Sequence, residues 1–300
     1  MIRVVMFDLG DTLLDAQGRP LPNVLPALQA IMSMRSASGK PLASCLVSDF
    51  TMTPGPPTPQ KVKPLFDQYL ARLAASGLRP LFEPVSRRVT LSTHAGAAKP
   101  ARAVFEMALH RLRSNAALDE CLLITEDAAH VAAVRHTLGM QALRFKGVGP
   151  AACDFDDWSA APALVAHRID PNNEANLTIA ATAQLAARGV DVQTLAPAAP
   201  GQWRVSAQRW HPVQVPGHDD LGTLHVAIPV ELALHRRPDG ALQVELPAPD
   251  PEHLREAASF AASLAAHGQI GGGGTGRTTH TIETDAAGRR RLVRKRFSAV

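Results

Sequence analysis

Short apolar runs alternate with amphipathic segments through the first half of the chain. Continuous apolar runs are typical of strands covered on both faces, and apolar residues at helical spacing are typical of helices that pack on them. The predicted strands are Ile2–Phe7, Ala43–Val47, Arg88–Leu91, Cys121–Thr125 and Gln141–Phe145. The predicted helices are Val24–Met34, Val62–Ala75, Ala101–Arg113 and Val131–Leu138. This alternation predicts an α/β domain over residues 1–150, with a parallel sheet and helices on both faces.

The pattern changes after about Gly149. Helices are predicted at Asn172–Arg188 and from Asp250 to about His267, where Asp250 is placed as the cap. Two hairpins are also predicted, Thr223–Arg236 with Ala241–Leu246 across "RPDG" and Thr278–Thr284 with Arg289–Phe297 across "DAAG". We therefore place a domain boundary near residues 150–170 and expect a smaller α+β domain over residues 170–300.

Composition indicates an ordinary globular protein of two domains. The chain has 300 residues, of which 46% are hydrophobic and 19% are charged. No segment approaches the apolar length that spans a bilayer, and the N-terminus lacks the layout of a signal peptide. The cysteines are widely spaced, and Cys45 and Cys121 lie in apolar runs, which indicates buried reduced thiols. We expect a cytoplasmic protein with no membrane partner.

The basic excess is concentrated near the C-terminus. The net charge is +4, and Arg289–Arg291 and Arg294–Arg296 contribute much of the positive charge. Such a run is typical of the solvated face of an edge strand, where charge discourages association between sheets. Binding of nucleic acid is the less favoured alternative, because no aromatic stacking pattern accompanies the charge.

Two further patterns resemble functional sites, but we do not interpret them as such. "GGGGTGRT", from Gly271 to Thr278, has the look of a phosphate-binding loop, but a strand-like segment follows it instead of a helix. We interpret it as a flexible linker. His211 and His218 lie in a stretch rich in Pro and Gly without a second pair at ligand spacing, so we predict surface histidines in a loop.

Polar residues follow the predicted strands at the edge where open α/β sheets bind their ligands. Asp8 follows the first strand, Ser48 the second, and the pair Glu126 and Asp127 the strand that ends at Thr125. Lys99 precedes a helix in "AAKPARAVF". Each residue alone is ordinary for a turn, a cap or a surface. Together they predict a site for phosphoryl chemistry.

In this order and spacing, the residues resemble the motifs of the haloacid dehalogenase (HAD) superfamily. "MFDLGDTLLD" carries Asp8 and Thr12, "SCLVSDF" carries Ser48, "AAKPARAVF" carries Lys99, and "LLITEDAAH" carries the acidic pair. The resemblance covers about half of the chain. It implies a HAD-like (Rossmannoid) sheet, a hydrolase of the phosphatase type and a Mg²⁺ cofactor.

The resemblance also implies residue roles. Asp8 is the nucleophile that forms an aspartyl-phosphate. The implied magnesium ligands are Asp8, the backbone carbonyl of Gly10, Glu126 and Asp127. Dehalogenation, another chemistry of this superfamily, is disfavoured because a metal-free mechanism does not need the acidic pair.

Substrate contacts are implied for Ser48, Lys99 and Thr12. Ser48 donates a hydrogen bond to the phosphate, and Lys99 supplies a fixed positive charge to the phosphate and to Asp8. The family's general acid stands two residues after the nucleophile, where this chain has Gly10, and Asp11 follows one residue later. Loss of a general acid costs roughly 10²- to 10⁴-fold in rate, so Asp11 is the candidate replacement.

The segments that carry a cap domain in this superfamily are short here. Leu13–Val47 fits one helix and a strand, and the second insertion place holds mainly the Pro-rich loop Thr51–Gln60. We expect a minimal cap and an open site for a phosphorylated substrate, which includes macromolecules. The second domain or a neighbouring subunit of an oligomer is expected to cover such a site where a small substrate binds. The alternative function is a catalytically weakened HAD scaffold that binds a ligand or a macromolecular partner.

Overall fold

The structure is a computed structural model that describes residues 1–146, 152–271, 278–285 and 288–295. The chain divides into two compact units. The first unit comprises Met1–Ala187 with Arg237–Leu242, and the second comprises Arg188–Arg236 with Gln243–Val300. Residues 272–277 of the Gly-rich segment that we interpret as a linker lie outside the described residues, as do Arg296 and Phe297.

A five-stranded sheet forms the centre of the first unit, in the order β3-β2-β1-β4-β5. Its strands are β1 (Val4–Phe7), β2 (Ala43–Ser48), β3 (Val89–Leu91), β4 (Cys121–Thr125) and β5 (Gln141–Arg144). Every pair is parallel, and Val4 of the central strand lies opposite both Ala43 and Cys121. The predicted α/β class with a parallel sheet is confirmed. The carboxyl ends of β1, β2 and β4 therefore meet at one edge.

Helices cover this sheet as the alternating pattern predicts. They are α1 (Val24–Ser33), α2 (Pro59–Ala75), α3 (Val85–Arg88), α4 (Ser92–Ala95), α5 (Arg102–Leu112), α6 (Ala128–Thr137), α7 (Ala161–Ile169) and α8 (Glu174–Ala187). The structure also shows helices that we did not predict, α7 above all. In the described residues, no helix has both the length and the apolar character that a bilayer crossing requires.

Apolar side chains pack on both faces of β1, all of whose residues are buried. Val4 and Met6 belong to a core cluster with Phe105. Phe7 points to the other face, since side chains alternate along a strand, and its ring lies 6.3 Å from that of Phe82 and 6.4 Å from that of Trp158. Burial on both faces explains why these strands read as continuous apolar runs.

The boundary between the two units lies later in the chain than the interval 150–170 at which the sequence places it. Both α7 and α8 pack with α1. Asn176 of α8 is buried, donates from Nδ2 to the carbonyl of Arg35 at 2.7 Å, and accepts the Arg35 amide at 3.0 Å. These contacts hold α8 to the parallel-sheet unit. A helix that follows a domain core in sequence can belong to that core, and periodicity alone does not reveal which core it joins.

The second unit is the predicted smaller α+β body. Its sheet runs β10-β11-β8-β7-β6, and β9 pairs with β8. Its elements are β6 (Val190–Ala199), β7 (Gln202–Gln214), β8 (Thr223–Arg236), β9 (Leu242–Val244), α9 (Pro251–Ala266), β10 (His280–Thr284) and β11 (Arg290–Arg294). Asp250 caps α9 as predicted, since its side chain accepts the Glu252 amide at 2.8 Å.

Strand β7 includes the start of the stretch around His211 and His218 that we interpret from sequence as a loop. His211 lies within β7 and is 8% exposed, so the prediction of a surface histidine in a loop is wrong. Pro212 also lies in this strand, opposite His225 of β8. Alternate positions of β7 are buried, including Trp203 and Val213, and this packing outweighs the low strand propensity of proline.

The C-terminal arginines do not form the solvated edge that the sequence predicts. Strand β11 lies between β10 and β8, so it is not an edge strand. Arg291 pairs with Asp285 at 2.9 Å and Asp191 at 3.5 Å, and its guanidinium lies 4.7 Å from the centre of the Trp210 ring. These acidic partners explain how Arg291 is accommodated inside a sheet, whereas Arg290 and Arg294 of the same run are exposed.

Cys45 and Cys121 are buried and free, as predicted, and Cys153 is free and exposed. Burial raises the pKa of Cys45, and it raises the pKa of Cys121 to about 12. Both thiols therefore stay protonated at neutral pH, which agrees with a packing role.

His94 is held neutral inside the first unit. Its ring lies 5.0 Å from that of Phe66, edge to face, and its Nδ1 accepts the amide of Leu91 at 3.0 Å. Burial, together with the positive charge of Arg111, lowers the pKa of His94 to about 4. The pKa in the unfolded chain is about 6.5, so folding favours the neutral ring.

We expect acid to weaken the protein through His94. The neutral His94 ring contributes to the free energy of unfolding in full above pH 6.5. This contribution is lost as the pH falls toward 4, because the ring takes up a proton when the chain unfolds. Between pH 7 and pH 4.5, wild type should lose about 1 to 2 kcal/mol more free energy of unfolding than His94→Gln, which allows for the part of the ring that water screens. Urea titrations at both pH values measure this difference. Parallel losses in the two proteins would contradict it.

Candidate active site

Asp8 lies at the carboxyl end of β1 with a buried carboxylate. Its backbone amide donates to the carbonyl of Ile124 at 3.0 Å, which continues the parallel pairing past the end of the strand. Oδ1 accepts the amide of Leu9 at 2.8 Å, and Oδ2 accepts the hydroxyl of Thr125 at 3.1 Å. Oδ2 also forms an ion pair with Nζ of Lys99. The carboxylate is thus fixed on both oxygens.

Lys99 is the cation of this buried pair. Its side chain is 1% exposed and that of Asp8 is 10% exposed. The amide of Lys99 donates to Oδ1 of Asp49 at 2.9 Å, so Asp49 anchors the backbone that presents the lysine. We did not predict Asp49 from the sequence. The available signal was an acid directly after Ser48 at the end of a strand.

Glu126 forms hydrogen bonds with Thr12, a residue of the first motif. Its carboxylate accepts the hydroxyl of Thr12, and its amide donates to the same hydroxyl oxygen at 3.1 Å. The carbonyl of Thr12 in turn accepts Nε1 of Trp158 at 2.8 Å. Thr12 is therefore engaged in positioning Glu126, whereas the resemblance implies a contact with substrate.

The carboxylates of Asp8 and Glu126 share one donor. The Thr125 hydroxyl lies 3.1 Å from Oδ2 of Asp8 and 3.3 Å from Oε2 of Glu126. A hydroxyl has one hydrogen and cannot donate fully to both. Two negative groups this close repel each other unless cations balance them. Thr125 was not among the predicted residues, and its role is visible only once β1 and β4 are adjacent.

Asp127 caps α6. Its Oδ1 accepts the amides of Ala129 at 2.7 Å and His130 at 3.1 Å. Partial burial opposes its ionisation, but these amides, the interaction with the His130 ring and the positive charge of Lys99 outweigh burial and lower the pKa of Asp127. The carboxylate is therefore ionised at neutral pH, and Oδ2 lies 3.6 Å from Nδ1 of His130.

Two cavities open at this edge of the sheet. The first, of about 590 Å³, has lining residues that include Asp11, Glu126, Asp127 and Arg144. The second, of about 510 Å³, has lining residues that include Gly10, Ser48, Asp49, Phe50, Tyr69 and Arg72. The residues from α2 show that the segment between β2 and β3 forms a wall of the second cavity. We did not predict this contribution from α2.

Gly10 and Asp11 lie at different cavities. Asp11 lines the first cavity and has a left-handed backbone, with φ of 51°. Gly10 lines the second cavity with Ser48. A Cβ atom added at Gly10 meets nothing within 4 Å, so the space for a side chain at that position is open. Asp11 thus does not line the cavity that Gly10 and Ser48 line.

The oxygen groups at this edge suit a hard cation. In the parts of the chain that the structure describes, no three residues among His, Cys, Asp and Glu come together as a metal cluster. Magnesium keeps several waters and needs only one or two carboxylates besides a substrate phosphate. The carboxylates of Asp8 and Glu126, which converge on Thr125, fit that requirement.

No protein-family model matches this chain, and no curated protein matches it. Solved structures match about half of it. An uncharacterized protein from Corynebacterium glutamicum has 16% identity and a TM-score of 0.32 over 49% of this chain and 87% of that protein. The putative HAD-hydrolase YfnB from Bacillus subtilis, solved bound to magnesium, has 13% identity and a TM-score of 0.33. That match covers 45% of this chain and 48% of YfnB. Likenesses this weak assign neither an activity nor a cofactor to this chain.

Proposed function

We propose that this protein is a magnesium-dependent hydrolase of the HAD type that cleaves phosphoryl groups from its substrate through an aspartyl-phosphate on Asp8. The buried ion pair of Asp8 with Lys99 carries the proposal. Removing two charges from water costs free energy, so the stability of the fold does not explain why the pair is buried. A nucleophile held next to a fixed cation at the ligand-binding edge of an α/β sheet supplies a reason.

In the proposed reaction, an Asp8 carboxylate oxygen attacks phosphorus, and the bond from phosphorus to the leaving oxygen breaks. Lys99 balances charge on the carboxylate and on the phosphoryl oxygens, and Ser48 donates a hydrogen bond to one of them. Water then attacks the aspartyl-phosphate, which releases inorganic phosphate and restores Asp8. Magnesium, when bound, neutralises negative charge between the carboxylates and the phosphate. Asp8 and Glu126 would hold it, with the carbonyl of Gly10 and Asp127 as further oxygen groups at this edge.

The lack of an acidic side chain at residue 10, where this chain has Gly10, favours one class of substrate. Without an acid there, the leaving oxygen departs unprotonated or takes its proton from water. Acyl and aryl phosphates leave readily as anions, whereas alkyl phosphates do not. We therefore propose a phosphorylated substrate whose leaving group has a low pKa. The same open position supports a second candidate, a scaffold that binds a phosphorylated ligand or a macromolecular partner without turnover.

The test is hydrolysis of acetyl phosphate, p-nitrophenyl phosphate and glycerol phosphate, with and without magnesium. We expect activity on the first two substrates and loss of that activity, by about 10³-fold or more, in Asp8→Asn because the nucleophile is gone. Asp67→Asn makes the same change at an exposed aspartate and should keep full activity. Turnover that survives in Asp8→Asn contradicts the mechanism. Absence of turnover in every protein, with magnesium still bound, favours the scaffold.

A further inference from the structure

Tyr69 lies at the site, although no motif points to it. It belongs to α2, lines the second cavity together with Gly10 and Ser48, and is 2% exposed. Its ring lies 5.5 Å from that of Phe50 at an interplanar angle of 82°, an edge-to-face contact that fixes its orientation. The residue is therefore rigid and adjacent to the phosphoryl site.

The Tyr69 hydroxyl is buried without a hydrogen-bond partner in the described part of the chain. A buried hydroxyl that makes no hydrogen bond costs free energy, and a phenylalanine at the same position would avoid the cost. Burial raises the pKa of this hydroxyl, the neighbouring Ser48 side chain lowers it to a smaller extent, and the negative charge of Asp8 raises it, so the hydroxyl remains a donor at neutral pH. Ser48 is thus close to the hydroxyl, but no contact within hydrogen-bond geometry satisfies the hydroxyl among the described residues. It is a donor that lacks an acceptor beside a site where phosphate oxygens are acceptors.

We infer that the Tyr69 hydroxyl donates a hydrogen bond to an oxygen of the bound phosphoryl group, next to the one that Ser48 contacts. This inference rests on the proposed function and adds a substrate-binding residue to it. Hydrogen bonds to charged acceptors are about twice as strong as neutral ones, so the missing partner is best supplied by an anion. The stability lost in the free protein is then recovered when substrate binds.

Tyr69→Phe removes the hydroxyl and keeps the ring. We expect the affinity for inorganic phosphate, measured by calorimetry with magnesium present, to fall about 10- to 100-fold, and kcat/KM for acetyl phosphate to fall to a similar extent. The thermal midpoint of the variant without ligand should equal or exceed that of wild type. Thr90→Val is the matched control, because Thr90 is a fully buried residue on β3 whose hydroxyl also has no partner among the described residues. It should leave phosphate binding unchanged.

The outcomes separate this inference from the proposed function. Equal phosphate binding in Tyr69→Phe and wild type overturns the inference and leaves the hydrolase standing. A lower thermal midpoint in Tyr69→Phe also overturns it, because the hydroxyl then has a structural partner. If phosphate binding depends on Tyr69 but no turnover depends on Asp8, the result supports the inference and contradicts the proposed hydrolase function. If wild type neither binds phosphate nor turns over, both fail.

Discussion

Lys99→Met should lower the free energy of unfolding by about 3 to 5 kcal/mol, because it leaves the Asp8 carboxylate buried without its cation. The two side chains are 1% and 10% exposed, so water cannot replace the lost partner. Asp8→Asn should also destabilise the protein, since it leaves the ammonium group unpaired. Urea unfolding of both variants measures the effect without any assumption about catalysis.

The double variant Asp8→Asn/Lys99→Met tests whether the two charges stabilise each other. With both charges removed, it should be more stable than Lys99→Met alone, and the two single effects should not add. Additive effects would contradict a buried pair. The pair of Lys63 with Asp67 provides the matched control, since its side chains are 76% and 56% exposed at a distance of 2.7 Å. Lys63→Met should change stability by less than about 1 kcal/mol.

Gly10→Asp should raise kcat for glycerol phosphate by about 10²-fold or more, because it supplies a proton donor to a leaving oxygen of high pKa. The backbone at residue 10 lies outside the left-handed region, and a Cβ atom there meets nothing within 4 Å, so the new side chain fits. Acetyl phosphate should gain far less, since its leaving group needs no proton. The measurement is steady-state kinetics on both substrates.

Gly10→Asn is the control for this gain. Asparagine has nearly the same size and lacks the transferable proton, so it should leave the rate on glycerol phosphate near that of wild type. An equal gain from asparagine would assign the effect to packing or binding. An equal gain on acetyl phosphate would show that protonation of the leaving group is not what residue 10 contributes.

The parallel sheet was predictable because its physical cause is local. Strands covered on both faces must be apolar throughout, so Cys121–Thr125 and Ala43–Ser48 stand out without knowledge of their neighbours. The antiparallel strand Gln202–Gln214 has mixed polarity and contains Pro212, so its local propensity opposes the state that packing selects. The membership of Glu174–Ala187 in the first unit depends on Asn176 meeting Arg35, a contact between distant parts of the chain.

The sequence also predicts one part of the candidate site, while the other part depends on the tertiary structure. By itself, the sequence determined that Asp8, Ser48, Lys99 and the acidic pair stand at strand or helix ends, because residue order and the carboxyl edge of a parallel sheet follow from the pattern. Only the tertiary structure decided what each group meets. Thr125 gains its place between two carboxylates, and Tyr69 its place beside Ser48, from elements that the chain brings together over long separations. Hydrogen bonds and ion pairs act over a few ångströms, and sequence spacing does not specify distances of that size between separate elements.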